Sequence, residues 1–259
     1  VVVEAFLAAS VEGRLDEAVR ILHSEPGIAG RDLRAAAVLG DAGAVRAALE
    51  ADPAAAVATD DERGWPPLLY ACYSRWHQIE PARGEGLAEV VRLLLQAGAS
   101  PSTNDGGRPR YRSALKGSVE VDNPAVAEVL LDAGADPDAG QPIGEAVGGK
   151  DQRCLRLLLA HGARVAGTWA LGAAVFHDDP VAVSLMLEAL DPTARAAAAT
   201  EALPEAAADA SPAVVEALLG AGADPDAVDG DGTSALRLAV RAGKDDTAAR
   251  LRTAGAGGG

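Results

Sequence analysis

Apolar positions return along this chain at the spacing of an amphipathic helix and then stop at a glycine. In residues 90–100, VVRLLLQAGAS, Val91, Leu94 and Leu95 share one helical face, Gly98 can take the left-handed conformation that ends a helix, and Ala99 opens an extended exit. The pattern recurs in AVAEVLLDAGADPDA (125–139), DQRCLRLLLAHGARV (151–165), SPAVVEALLGAGADPDA (211–227) and, degraded, DDTAARLRTAGAGG (245–258). A helix, a Gly-Ala stop and often an Asp-Pro turn thus form an internal repeat, each copy of which needs a neighbour to bury its apolar face.

Taken in order, the chain divides into about eight helix-turn-helix units over residues 1–256, followed by a glycine tail at 257–259 that is expected to be flexible. The apolar start VVVEAFLAAS is interrupted by Glu4 and has no basic region before it, which predicts a first helix rather than a signal peptide. DLRAAAVLGDAGAVRAALEADP (32–53) is the shortest complete unit, with a Gly40-Asp41 corner between its helices. The third unit begins DDERGWPPLLYACYS, where Gly64 serves a tight turn and Pro66-Pro67 start a helix. RWHQIEPARGEG (75–86) then intervenes, and a long connection in a repeat protein is often where function is added. The fourth unit enters through a basic segment with Arg108, Arg110, Arg112 and Lys116, suited to an anionic group or to neighbouring carboxylates. The seventh is the Ala-rich ARAAAATEALPEAAADASPAVVEALLGAGADP (194–225).

Composition narrows the interior. Hydrophobic residues make up 49% of the chain but aromatics only 3%, so the core must be built from Ala, Val and Leu at close helix–helix spacing. A net charge of −15 argues against nucleic acid or an anionic membrane as partner, because both need a positive footprint, and no apolar run reaches the length of a membrane span. Cys72 and Cys154 sit inside helical patterns and read as reduced, buried thiols of a cytoplasmic protein.

These repeats resemble the ankyrin repeat of bacterial-type, degenerate proteins. The eighth unit carries the pattern best: Asp229 and Gly232 for the turn, Thr233-Ser234-Ala235-Leu236 at the helix entry, Ala239, Gly243 and the closing Gly255-Ala256. The third offers Asp61, Gly64, Pro67, Leu68, Ala71 and Cys72 at the corresponding places, and the step from Gly222 to Gly255 is 33 residues, the ankyrin period. The entry histidine of the family is absent and units four to seven lack a complete D-x-x-G turn. The resemblance therefore implies an all-α ankyrin-repeat solenoid with short or irregular hairpin fingers. Tetratricopeptide or HEAT-type helix pairs are the alternative, against which the recurrent G-A-D-P speaks.

The resemblance also implies where a ligand would sit: on a concave face lined by the residues following each inner helix, here Tyr73 and Ser74, Glu120 and Val121, and Phe176 and His177, with Gly148 and Gly149 leaving room between them. Seven of the eight aromatics lie between Trp65 and Phe176. That clustering fits a binding patch of Trp65, Tyr70, Tyr73, Ser74, Trp76, Arg112, Glu120, Trp169, Phe176 and His177, or equally the filling of gaps beside irregular fingers. Glu120, His177, Tyr73 and His77 carry groups able to act as general acid or base. DPDAVDGDGT (224–233) looks calcium-like, but Val228 breaks the required alternation. With no Walker loop, dinucleotide fingerprint, nucleophile elbow or zinc spacing, no metal or cofactor is expected.

Two functions follow. The first is a recognition scaffold that binds a protein partner through the concave face and the 75–86 loop. The second is an ankyrin-fold enzyme that uses a central groove and an acid–base pair on a small molecule, for example to dehydrate or cyclise a polyketide-like product. The sequence leaves open whether the chain is an enzyme.

Overall fold

The computed structural model describes residues 2–106, 111–149 and 151–257. Its described residues form two compact units, Val1–Pro142 and Ile143–Gly259, each built from four helix pairs. Together these make the eight pairs implied by the repeat, with no strands among the described residues and two isolated bridge pairs.

Unit 1 stacks α1 (Val2–Val11) with α2 (Leu15–Ser24), α3 (Leu33–Leu39) with α4 (Ala42–Ala51), α5 (Pro67–Cys72) with α6 (Arg83–Gln96), and α7 (Ala114–Glu120) with α8 (Pro124–Asp132). Local chemistry fixes the ends. Asp32 accepts from the backbone N–H groups of Arg34 and Ala35 at the start of α3, Asp41 caps α4, Ser113 caps α7 and Asn123 caps α8. Proline stands in the first turn of α5 and α8, where its missing N–H costs nothing. At the end of α6, Gly98 has φ +103°, its N–H bonds the Leu95 carbonyl, and the Ala99 N–H reaches back to Leu94 at 3.0 Å. The same five-residue return joins Ala135 to Leu130, Ala163 to Leu158, Ala223 to Leu218 and Ala256 to Leu251, so the Gly-Ala stop is one helix-closing motif used five times.

The small-residue composition appears as close packing. Gly86 of α6 lies against the backbone of Gly40, at the corner after α3, so closely that a Cβ on Gly86 would stand 2.5 Å from the Gly40 carbonyl oxygen. Around this seam Leu87, Val90, Val91 and Leu94 of α6 are buried, as are Ala35, Ala36 and Val38 of α3. Truncating a fully buried leucine such as Leu94 to alanine removes about 2–5 kcal/mol.

Unit 2 contains α9 (Pro142–Glu145) and α10 (Arg153–Ala160), α11 (Ala170–Phe176) and α12 (Pro180–Glu188), α13 (Pro192–Asp209) and α14 (Pro212–Gly220), and α15 (Ala235–Arg241) and α16 (Asp245–Thr253). One inner helix is far longer than the others. α3, α7, α11 and α15 have seven residues each, whereas α13 has 18. Before α15, Asp229 accepts from the N–H groups of Asp231 and Thr233 and a finger forms with a Val228–Ser234 bridge. In the seventh repeat there is no such turn: the run from Pro192 continues as helix, through Pro204.

One turn departs from expectation. In the third repeat the turn aspartate is Asp60, one residue before Asp61: its carboxylate accepts from the N–H groups of Arg63, Gly64 and Trp65. In the fourth repeat an Asn104–Ser113 bridge does form, with Asp105 accepting from the Arg112 N–H in place of a complete D-x-x-G turn. Arg108 and Arg110 lie outside the described residues, as do Gly258 and Gly259 of the expected tail; Gly257 donates its N–H to Asp226 at 2.8 Å. No helix among the described residues is long and apolar enough to cross a membrane.

Candidate functional site

The aromatic cluster of the third repeat faces inward. α5 is a short helix, and Tyr73, at its C-terminal cap, turns its ring onto Gly117 of α7, where a Cβ would lie 2.5 Å from two ring carbons. Trp65 packs 5.1 Å from Tyr73 and 5.3 Å from Tyr70, and the Arg112 guanidinium covers Trp65 and Tyr73 at 5.4 and 5.7 Å. Tyr70 donates its O–H to Asp60 at 2.8 Å, Ser74 donates to the Val38 carbonyl at 2.6 Å, and the Trp76 indole donates to Ser10 at 3.0 Å while its ring packs beside Phe6. Trp65, Tyr70, Tyr73, Ser74 and Trp76 are all buried. Of the two readings of these five residues, their burial fits the filling of gaps: each large ring fills space between helices that small residues leave, and most of the polar handles find an internal partner.

The 75–86 connection is likewise tied down. Trp76–Gln78 forms a 3-10 turn, and His77 and Gln78 both donate to the Val121 carbonyl, at 3.0 and 3.2 Å. Arg83 stacks over Trp76 at 5.1 Å and donates to the Leu39 carbonyl at 2.8 Å. Burial pushes the His77 imidazole below its ordinary value, which the bond to Val121 only partly offsets, so the ring is neutral at neutral pH. Burial pushes the Tyr73 hydroxyl up, and the Glu120 carboxylate adds to the effect. Glu120 itself pairs with Arg75 at 3.4 Å.

The cavity that stands out lies in unit 2. It measures about 760 Å³ and lies between the 165–169 turn, α11 and the middle of α13, a size that suits a drug-sized ligand or a few side chains. Gly167, Gly172, Ala173, Ala198 and Ala202 keep its walls thin, while Trp169, Phe176, His177, Glu201 and Glu205 supply larger groups. Trp169 is 51% exposed and Phe176 80% exposed. Gly144 of α9 makes room for the Trp169 ring, since a Cβ there would stand 2.2 Å from the indole. Glu201 and Glu205 are four residues apart on α13 and so share one face of it. Of the four candidate acid–base residues, His177 lines this cavity and Glu120, Tyr73 and His77 do not. Among the described residues no cluster of His, Cys, Asp and Glu is arranged to hold a metal ion.

No family model matches the chain. It is 32% identical over 145 residues to a putative ankyrin repeat-containing protein of Treponema pallidum (strain Nichols), a match covering 52% of this chain and 44% of that protein. The chain thus spans less than half the length of that curated relative. In three dimensions it is similar to the ankyrin repeat domain of human ASB11, with a TM-score of 0.66 and 21% identity over 88% of this chain and 99% of that one. The ankyrin repeat domain of Bcl-3 superposes with a TM-score of 0.60 at 24% identity, over 83% of this chain and 96% of that one. The chain has the ankyrin-repeat fold. An ankyrin repeat domain from Acinetobacter baumannii AYE is similar over 70% of this chain and 99% of that one, with a TM-score of 0.56 and 24% identity.

Within this ankyrin-repeat fold the unit 2 cavity has a definite origin. Where the eighth repeat places a finger, the seventh places added turns of α13, which contribute Ala198 and Glu201 to one wall, and Ala202 and Glu205 follow from the part of the helix that corresponds to α15. Phe176 and His177 were legible as candidates from the resemblance and Trp169 from the clustering of aromatics; Glu201 and Glu205 were missed. The signal that could have found them is the unbroken Ala-rich run from Pro192, with no glycine turn and two glutamates at i and i+4.

Proposed function

We propose that this ankyrin-repeat chain is a recognition scaffold that binds a protein partner along the groove between α11 and α13. The observation that carries the reading is the exposure of Trp169 and Phe176 at a cavity of about 760 Å³, in a chain whose Trp65, Tyr70, Tyr73 and Trp76 rings are buried. Covering a large aromatic side chain contributes about 1.5–3 kcal/mol, and aromatic residues at the centre of an interface commonly dominate its energetics. The acid–base reading has less support, because Glu120 is held by Arg75 and His177 is the one candidate on the cavity.

A photo-crosslinking residue placed at Phe176, and separately at Val57 on exposed surface of unit 1, tests the reading in lysate of the source organism. A discrete protein adduct from position 176, absent at position 57 and abolished by Trp169→Ala, is expected. Identical adducts from both positions would overturn it.

A further inference from the structure

Every other tryptophan in this protein is covered by an arginine of the chain itself. Arg63 and Arg112 lie over Trp65 at 5.6 and 5.4 Å, and Arg83 lies over Trp76 at 5.1 Å. Among the described residues no guanidinium covers Trp169, which stands half exposed at the unit 2 cavity. The cavity lining contains no lysine or arginine, and its two carboxylates, Glu201 and Glu205, have no hydrogen-bond or ion-pair partner among the described residues.

We infer that the groove between α11 and α13 receives an arginine side chain from a basic segment of the partner protein. The inference rests on the scaffold reading and adds the chemistry of the occupant. A guanidinium is planar, so it stacks on the face of an indole or a phenyl ring, and its forked N–H donors suit carboxylates on one side while the other face stays against carbon. Trp169 and Phe176 supply exposed rings, and Glu201 and Glu205 supply the acceptors from one face of α13. The net charge of −15 steers a basic segment toward this surface and repels an acidic one. The volume of about 760 Å³ exceeds the needs of one side chain, leaving room for apolar neighbours of the arginine against Leu171 and the alanines of the wall.

Trp169 also supplies the readout. With the indole nitrogens labelled, the exposed Trp169 gives an NMR signal that can be followed separately from buried Trp65 and Trp76. The probes are twelve-residue peptides of glycine and leucine that differ only at a central arginine, lysine, citrulline or glutamate, titrated into the full chain and into a Glu201→Gln/Glu205→Gln variant. Both substitutions are at exposed helical positions, so the variant folds, as its unchanged Trp65 and Trp76 signals would show. The arginine peptide should shift the Trp169 signal at a concentration about tenfold lower than the citrulline peptide, and the double variant should abolish that difference. Equal titrations by arginine and citrulline, a stronger response to glutamate, or an arginine preference that survives the double variant would overturn the guanidinium and leave the docking groove standing. No response of Trp169 to any peptide would remove both.

Discussion

Replacing Gly86 by alanine sets a methyl group on the face of α6 that meets α3. In isolation the change favours the helix, because alanine is better than glycine in a helix interior by about 1 kcal/mol. The neighbour reverses the sign. The new Cβ would stand 2.5 Å from the Gly40 carbonyl oxygen and 3.5 Å from its carbon, whereas ordinary C···O contacts begin near 3.3 Å, so the backbones must part by roughly 0.8 Å. Both contacting groups are main chain, and Gly40 is itself held at φ +69° with its own Cβ position 2.9 Å from the Leu87 nitrogen, so no rotamer change relieves the clash. A gap of that size forfeits a quarter to a half of the dispersion energy along the seam. Overpacking of this kind costs about 3 kcal/mol at the upper end of its usual range, and subtracting the helix gain leaves a net destabilisation of about 2 kcal/mol. Urea titration followed by far-UV circular dichroism and by tryptophan fluorescence should show the midpoint fall by about 1 M. Gly172→Ala is the matched control: it lies in α11 with nothing within 4 Å of its added Cβ, and it should gain about 0.5–1 kcal/mol. A Gly86→Ala protein as stable as the parent would refute the close-packing argument.

Tyr70→Phe deletes the O–H that meets the Asp60 carboxylate at 2.8 Å and should lower stability by about 1.5–3 kcal/mol, the value of a hydrogen bond to a charged acceptor; an unchanged urea midpoint would contradict this. Burial pushes the Asp60 carboxyl up, but the N–H of Arg63, the hydroxyl of Tyr70 and the N–H groups of Trp65 and Gly64 outweigh it and hold the carboxyl below its ordinary value. Since the unfolded value is about 3.9, Asp60 stabilises the fold fully above that pH and loses its contribution as pH falls through the lower folded value. The deficit of Asp60→Asn against the parent should therefore be full at about pH 7 and fade below about pH 4; a deficit independent of pH would count against the network. Cys72 and Cys154 are both buried, and burial pushes the Cys72 thiol well up, so a chromogenic disulfide reagent should react with neither until urea opens the chain. Acrylamide should quench Trp169 emission strongly, so that Trp169→Phe leaves a protein whose remaining fluorescence is largely protected.

Helix pairs and their Gly-Ala stops were legible in the sequence, because each is decided within a few residues. A Gly-Ala pair closes α6 by bonding back to Leu94 whatever lies nearby, and Asp41, Ser113 and Asn123 cap the helices they immediately precede. The scarcity of aromatics correctly implied an interior of small residues at close helix spacing, which Gly40 and Gly86 realise. Which aromatics were spare could not be read in the same way. Tyr73 is buried because Gly117, 44 positions later, has no side chain, and Trp76 because Ser10 and Phe6 receive it from the first helix. Even the turn aspartate shifted from Asp61 to Asp60, since the Tyr70 hydroxyl of the folded α5 reaches that carboxylate. The family resemblance and the clustering of aromatics put Trp169, Phe176 and His177 on a candidate list; only the packing of α13 beside α11 gave them a cavity and joined Glu201 and Glu205 to them. Local hydrogen bonding fixes where each helix begins and ends, but the surface left uncovered depends on the volumes of side chains brought together from distant repeats.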